Sequence, residues 1–360
     1  MEIVTNIFFY FFSFIILLSI IVFVHEFGHY IAAIINKVKV ETFSIGFGKE
    51  IYGWNDKRGT RWKISILPFG GYVKMFGEDF FSKKKVSSSL SKFSFSEKNV
   101  YQRIFIVAAG PLANFLFAIL CYGFLFTFIG KQNIQPIVSS VVENSPAAIA
   151  GIVKDDKILK VSDKKIKDWR DISLTIKLSQ QDLIDFEILR DEKIILKQIK
   201  PVIINDEKFD QNTPKIGIIP YEPTIEKYPF YYSLYLGTKT TYEICSYTMK
   251  GLYLLIVGKG SKEDIGGPLK IAQVSGQFLE AGFLAFFNLI ILLSVSIGLI
   301  NLFPIPVLDG GHLVFYFIEM ILGKPVNKNI QENMFKFGFA IIITLAVFLT
   351  YNDIINIFKF

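Results

Sequence analysis

The chain has 360 residues, of which 51% are hydrophobic and only 20% charged, with 37 Phe. Soluble domains carry about 25% charged residues. The balance therefore excludes a disordered or collagen-like chain and most soluble enzymes, and the two Cys exclude a disulfide scaffold or a Cys-rich zinc module. The net charge of +7 comes with no helix-turn-helix, RNP or zinc-finger pattern. It is read as loops lying against anionic lipid, with no nucleic-acid partner.

In chain order, residues 3–24 hold no charge, and after Glu26 none appears until Lys37. A spanning helix needs about 20 apolar residues, so residues 1–36 are expected to form a first transmembrane helix. No basic residue precedes the run and no small-residue cleavage site follows it, which argues against a removed signal peptide. Within it stands His25-Glu26-Phe27-Gly28-His29. Residues four apart share a helix face, so two imidazoles there can reach one metal with a carboxylate beside it. Ionisable groups at membrane depth are costly and functional by default. Random order would give this pattern in roughly two chains per thousand.

Residues 37–102 read as a loop rich in Lys and Arg. Inside it Trp62, Ile64 and Ile66 alternate with Lys63, Ser65 and Leu67 before Pro68 and Gly70-Gly71 turn the chain, the pattern of a hairpin. Residues 83–96, rich in Lys and Ser, read as a solvated linker. The charge-free run 104–130 gives a second transmembrane helix, 103–130.

Residues 131–220 look like a soluble domain. Ile137-Val138 and the short apolar runs 158–161, 186–189 and 194–196 alternate with polar turns, and residues 147–151 suggest a short helix. In the following segment, 221–280, residues 228–257 contain seven Tyr together with Lys239, Glu243 and Lys250. This is expected to be an amphipathic stretch on the membrane surface, not a fifth span.

The run 281–308 is again free of charge and is expected to form a third helix over 281–312. At its end comes Asn301-Leu302-Phe303-Pro304-Ile305-Pro306-Val307-Leu308-Asp309-Gly310-Gly311. Two prolines break the helix, and irregular backbone at membrane depth is tolerated only where protein or a water cavity surrounds it. Hydrolytic zinc sites use three protein ligands and a water. Asp309 is a better candidate for the third ligand than Cys121 or Cys245; the bland alternative is an interfacial Asp. His312 would share Asp309's face on a helix, as a partner of the site or as cytoplasmic surface; surface is the favoured expectation. A loop over 313–335 and a fourth helix over 336–358 complete the chain.

The basic residues orient these elements. None precedes the first span, whereas 37–102 and the last loop, with Lys324 and Lys328, are basic. The positive-inside rule places both loops in the cytoplasm, and both termini and 131–280 outside it.

Taken together, His25-Glu26-x-x-His29 and Asn301-x-x-Pro304-x-Pro306-x-Leu308-Asp309-Gly310 resemble the site-2 protease family of intramembrane zinc metalloproteases, of the regulator of sigma-E protease type. Phe43-Ser44-Ile45-Gly46-Phe47-Gly48, Pro68-Phe69-Gly70-Gly71-Tyr72-Val73-Lys74-Met75 and Gly110-Pro111-Leu112-Ala113-Asn114 resemble further family motifs, so the likeness covers nearly the whole chain. Ser145-Pro146-Ala147-Ala148-x-Ala150-Gly151, Asp155-Asp156-x-Ile158 and Trp169 resemble the family's PDZ domain, although most relatives have Gly-Asp where this chain has Asp155-Asp156.

The resemblance implies one Zn2+ held by His25, His29 and Asp309, with Glu26 as general base. It implies substrate contacts from Asn301 and Asn114 and from Gly70, Gly71 and Tyr72 of a re-entrant β-loop. The implied fold is membrane α-helical, with four transmembrane helices, that re-entrant β-loop and an extracytoplasmic α+β PDZ domain. The implied setting is the bacterial inner membrane. The substrates would be single-span membrane proteins, such as anti-sigma factors or signal-peptide remnants, cut first by an upstream site-1 protease, and the PDZ domain would gate access. Two rivals are a catalytically inert membrane PDZ scaffold and a metal transporter. The intact metal motif opposes the first, and the lack of polar groups in spans two and four opposes the second.

Overall fold

The computed structural model describes residues 2–78, 91–178, 183–203, 214–257 and 266–358. They form two compact units, Phe124–Ser233 and the combination of Met1–Gly123 with Leu234–Phe360.

The larger unit begins with α1, Glu2–Ile35, whose apolar side chains face all round, as in a membrane span. The chain then makes β1, Val40–Asn55, and β2, Arg61–Met75, which pair antiparallel across the turn 56–60. The hairpin expected inside 61–75 is thus formed instead between 40–55 and 61–75. Gly70, with φ +102, bends β2 without ending it. Thr42, Phe43, Ser44 and Ile45 each have two partners, Lys74, Val73, Tyr72 and Gly71 on one side and Arg61, Trp62, Lys63 and Ile64 on the other. The early part of β1 is therefore central, and the stretch 71–74 of β2 lies outside it.

The expected linker 83–96 is described only from Ser91 onward. There the chain is not a solvated tether. Lys39 N–H donates to Phe93 O, Phe95 N–H donates to Phe76 O, and the Phe95 ring is buried in the core.

Helix α2, Val100–Phe128, follows. Its Ala109 carbonyl lies against Gly28, where a Cβ would collide with it, so α1 and α2 touch backbone to backbone. Later come α5, Phe230–Ile256, α6, Pro268–Glu280, and α7, Phe283–Asn301; the intervening short elements belong to the smaller unit. The segment 228–257 forms the helix α5, and Gly237 lets it meet the Ile119 carbonyl of α2. Helix α6 lies along α1, with Gly276 against Tyr10, and the Asp353 carboxylate accepts from the N–H groups of Gly267, Leu269 and Lys270 at its start. Leu17, Ile21, Phe286, Leu289 and Ile290 join α1 to α7.

The third apolar run does not continue to residue 312 as expected. Helix α7 ends at Asn301, and a separate helix α8, Asp309–Leu322, starts at the carboxylate. Pro304 and Pro306 lack an N–H and cannot continue the ladder, so 302–308 leaves the helix. The expected loop 313–335 is mostly helical. Gly323, at φ +68, closes α8, and α9, Lys328–Phe358, begins five residues later.

Among the described residues, four helices are long and apolar enough to cross a membrane: Phe8–Ile35, Val100–Phe128, Phe283–Asn301 and Lys328–Ile355. Along α9 from Phe337 to Phe348 every exposed side chain except Thr344 is apolar, which suits hydrocarbon and not water.

The smaller unit is α+β. It contains β3, Lys131–Asn133, β4, Val138–Val141, α3, Pro146–Ile149, β5, Lys157–Val161, β6, Lys164–Lys165, and α4, Trp169–Leu178. Then follow β7, Ile184–Arg190, β8, Lys193–Ile199, β9, Val202–Ile203, β10, Pro214–Lys215, β11, Ile218–Pro220, and β12, Thr224–Glu226. Four strands make a sheet in the order β6-β5-β7-β8, and β11 pairs with β4.

Ser145 caps α3 by accepting from Ala148 N–H, and Pro146 opens the helix. Alternation in β7 sends Ile184, Phe186 and Ile188 inward, where they pack with Val138, Ile158, Ile172 and Ile176. Each such side chain contributes about 1.5–3 kcal/mol by leaving water. Asp155 stands at φ +71, a left-handed conformation that Asp tolerates better than most residues. The Asp156 side chain is fully buried and accepts two hydrogen bonds from Arg190 at 2.7 Å.

Candidate metal centre and its cavity

Helical spacing on α1 sets His25 and His29 on one face, and the close α1–α2 contact buries both. The helix break at 302–308 and the restart at Asp309 bring a carboxylate to them. His25 Nε2 lies 3.0 Å from Asp309 Oδ2 and His29 Nε2 lies 3.5 Å from it. The two Nε2 atoms are 3.2 Å apart.

The donor set suits a zinc ion. Ligands about 2.0–2.1 Å from one tetrahedral ion stand roughly 3.3 Å from each other, the separation seen here. Asp309 Oδ2 is buried with no hydrogen-bond partner among the described residues, as a ligand atom would be. Three ligands leave a fourth position open, the mark of a hydrolytic site.

Groups behind the imidazoles orient them. His29 Nδ1–H donates to the Ile106 carbonyl at 2.9 Å, which leaves Nε2 unprotonated to bind a cation. His25 Nδ1 faces the Asn114 amide at 3.3 Å; with Oδ1 turned toward it, His25 would take the same tautomer. Asn114 is fully buried and does not line the cavity. Its amide contact is to His25, one of the three candidate metal donors. Gly110 explains why the imidazoles fit against α2. A Cβ there would collide with His29 Nε2 and stand 2.9 Å from His25 Nε2.

The centre opens into a cavity of about 660 Å³. Glu26 enters it beside the two His, and β2 contributes Gly70, Gly71, Tyr72, Val73 and Met75 to its lining. Gly71 is required by proximity, since a Cβ would stand 2.7 Å from Val22 and 3.2 Å from Glu26 Cγ. Asn301 lines the cavity at the end of α7. Thus His25, Glu26, His29, Asp309, Asn301, Gly70, Gly71 and Tyr72 meet in one space, and Asn114 stands behind it.

His312 departs from the surface position expected for it. It lines this cavity, and its ring lies 4.9 Å from that of Phe335. Tyr316, one turn further, also lines the cavity, as do Glu78 and Phe95. Tyr316, Glu78 and Phe95 were not legible as site residues, whereas His312 was legible as sharing Asp309's face wherever that segment is helical. From that start, the i+3 and i+7 positions share the carboxylate's face.

The sheet is tied to α1 next to the centre. Asp56 in the β1–β2 turn accepts from Tyr30 Oη at 2.9 Å, from Trp62 Nε1 at 3.1 Å, and from the N–H groups of Arg58 and Thr60. Partial burial works to raise the Asp56 pKa, but these donors outweigh it and hold the carboxyl below its ordinary value.

Peptidase family M50 matches the chain over residues 13–345. A protein of Rickettsia conorii, named "Putative zinc metalloprotease", is 42% identical over 353 residues, covering 96% of this chain and 99% of its own. One from Agrobacterium fabrum under the same description is 38% identical over 366 residues, covering 96% and 95%. Among solved structures, the PDZ domain of an SdrC-like protein from Listeria monocytogenes is 24% identical, covering 25% of this chain and 90% of its own with a TM-score of 0.21. The chain belongs to peptidase family M50, the site-2 protease family, and is a multi-pass membrane zinc metalloprotease.

Proposed function

We propose that this metalloprotease hydrolyses peptide bonds in or near the transmembrane segment of single-span membrane proteins, with Glu26 as general base. The observation that carries this reading is the shared cavity. The three candidate metal donors and Glu26 line it together with Gly71, Tyr72 and Val73 of the outer stretch of β2. A helical substrate hides its amide bonds and must unwind before it can be cut. A strand edge can accept the unwound segment through main-chain hydrogen bonds, and Gly70 and Gly71 let it lie close.

A bound zinc ion supplies an acidified water and polarises the scissile carbonyl. Glu26 takes the water's proton on a carboxylate oxygen and delivers it to the departing amide nitrogen. The Asn301 amide holds the substrate main chain or the developing oxyanion. Val22, Phe47, Val107, Ile297 and Ile342 line the rest of the space and keep bulk water away from the reacting groups.

The cellular setting is part of the same proposal. The enzyme sits in the bacterial inner membrane, with 37–102 and the last connection in the cytoplasm and the unit Phe124–Ser233 outside. That unit acts as a PDZ domain that filters substrates by size, and the substrates, such as anti-sigma factors or signal-peptide remnants, arrive after a first external cut.

The test uses purified protein in detergent with a tagged single-span peptide. Wild type should bind zinc and cut. Glu26→Gln should keep zinc and lose cutting, and Asp309→Ala should lose zinc. A Glu26→Gln protein that cuts as well as wild type would overturn the assignment and favour the inert scaffold.

A further inference from the structure

We propose that Arg103 is a positioning residue of the metal centre: through Glu319 and Tyr316 it fixes α8 against α2, so that Asp309 arrives beside His25 and His29 at ligand distance. This rests on the metal centre described above and extends it to a side chain outside the lining of the cavity.

The two imidazoles come from one helix, and its period alone spaces them. Asp309 comes from another segment, after the break at 302–308, so its place depends on the height and rotation of α8. Gly310 and Gly311 lie against the main chain of Leu302, Phe303 and Ile305. Leu313 and Tyr316 pack in one cluster with Ile106 and Val107 of α2. Apolar contacts of this kind have no preferred direction, and a helix held by them alone can slide or turn. A catalytic constellation has to be held within about 0.5 Å and 10–20°.

On α2, Arg103, Ile106, Gly110 and Asn114 follow at spacings of three and four and share one face. Ile106 offers its carbonyl to His29, Gly110 makes room for both imidazoles, and Asn114 meets His25. Arg103 is the fourth member of that face, one turn before Ile106. Arg103 to Gly110 and Asp309 to Tyr316 are each seven residues, a rise of about 10 Å. The helices therefore meet twice at matching intervals: Asp309 at the imidazoles that rest on Gly110, and Tyr316 at Arg103.

The second meeting is directional. The Arg103 guanidinium donates to Glu319 at 2.5 Å and, through Nε, to the Lys98 carbonyl at 3.2 Å. It lies 4.8 Å from the centroid of the Tyr316 ring and is the side-chain partner of the Tyr316 hydroxyl. The side chains of Arg103 and Glu319 are only 13% and 16% exposed. A buried ion pair adds little net stability over a well-packed apolar replacement. What this one supplies is geometry: a planar fork that grips the start of α2 and two turns of α8 at once.

The experiment uses the full chain in detergent. Zinc affinity is measured by competition with a chelator, and the visible absorption of Co2+ bound in place of zinc reports the ligand set. Melting is followed for each variant, and binding is read well below it. Arg103→Lys keeps the charge but loses the fork, and Glu319→Gln keeps the shape but loses the charge. Each should weaken zinc binding by about tenfold and shift the Co2+ spectrum toward that of Asp309→Ala. Lys164→Gln, which breaks the Lys164–Asp171 pair of the smaller unit, should match wild type. Variants that melt earlier yet keep wild-type zinc affinity and Co2+ spectrum would show that the pair only stabilises the fold, and the proposal would be wrong. A wild type that binds neither ion would remove the metal centre and this proposal with it. A wild type that binds zinc but cuts no peptide would count against the protease reading alone, since neither readout here depends on cleavage.

Discussion

Tyr30 donates its hydroxyl to Asp56 Oδ2 at 2.9 Å, so the turn of the β1–β2 hairpin is fastened to the residue that follows His29 on α1. The strand that lines the candidate metal centre is thereby held from a point next to one of its candidate ligands.

Asp56→Ala should loosen this attachment by about 1–3 kcal/mol, read as faster amide exchange in 40–75 with α7 unchanged. The pH dependence has a definite sign. The folded Asp56 pKa is below its unfolded value, so the stabilisation is complete above the unfolded value of about 4 and is lost as pH falls through the lower folded one. Exchange protection of the hairpin should be flat from about pH 8 to 5 and drop only below about pH 4. A drop near neutral pH would rule out Asp56 as the fastening.

Gly110→Ala should weaken zinc binding by about tenfold or more, because the new methyl displaces both imidazoles. Gly251→Ala, a helix position with nothing within 4 Å of the new Cβ, is the control and should keep full zinc. Metal analysis after dialysis against a weak chelator separates the two.

The two asparagines should fail in different ways. Asn114→Ala removes the amide facing His25 Nδ1 and should lower zinc affinity about 10- to 100-fold. Asn301→Ala should keep zinc and lower the cleavage rate by about a hundredfold. Equal zinc content in both variants would return Asn114 to a direct role on substrate.

Arg190→Ala leaves the buried Asp156 carboxylate without its charged partner. Removing one partner of a buried pair costs about 3–5 kcal/mol. Limited proteolysis of the full chain should then cleave within 124–233 far sooner than in wild type. Unchanged protease resistance would mean that Asp156 takes up a proton or finds water at little cost.

The readable parts of the site were those carried by local spacing. His25, Glu26 and His29 lie within five residues on one helix, so the period of an α-helix alone brings them together. The proline-interrupted run before Asp309 marked a helix break in the same way. Tyr316 could not be read, because charge patterning placed 313–335 in a loop, and the sequence put His312 on Asp309's face only on condition that the segment is helical. The pairing of 61–75 with 40–55 was also hidden. The turn chemistry of Pro68 and Gly70-Gly71 suggests a reversal, whereas in the fold Gly70 only bends a strand whose partner is set by packing against α1.

By itself the sequence determined four helices apolar enough for a membrane, the metal-binding chemistry and its likeness to the site-2 protease family, because hydropathy and residue type are properties of the chain. Only the tertiary structure decided that Asn114 meets His25, that Gly110 leaves room for two imidazoles, and that Tyr316 lines the cavity. Those facts depend on which atoms from distant segments come within contact distance, and that is set by how α1, α2, β2 and α8 pack around one another.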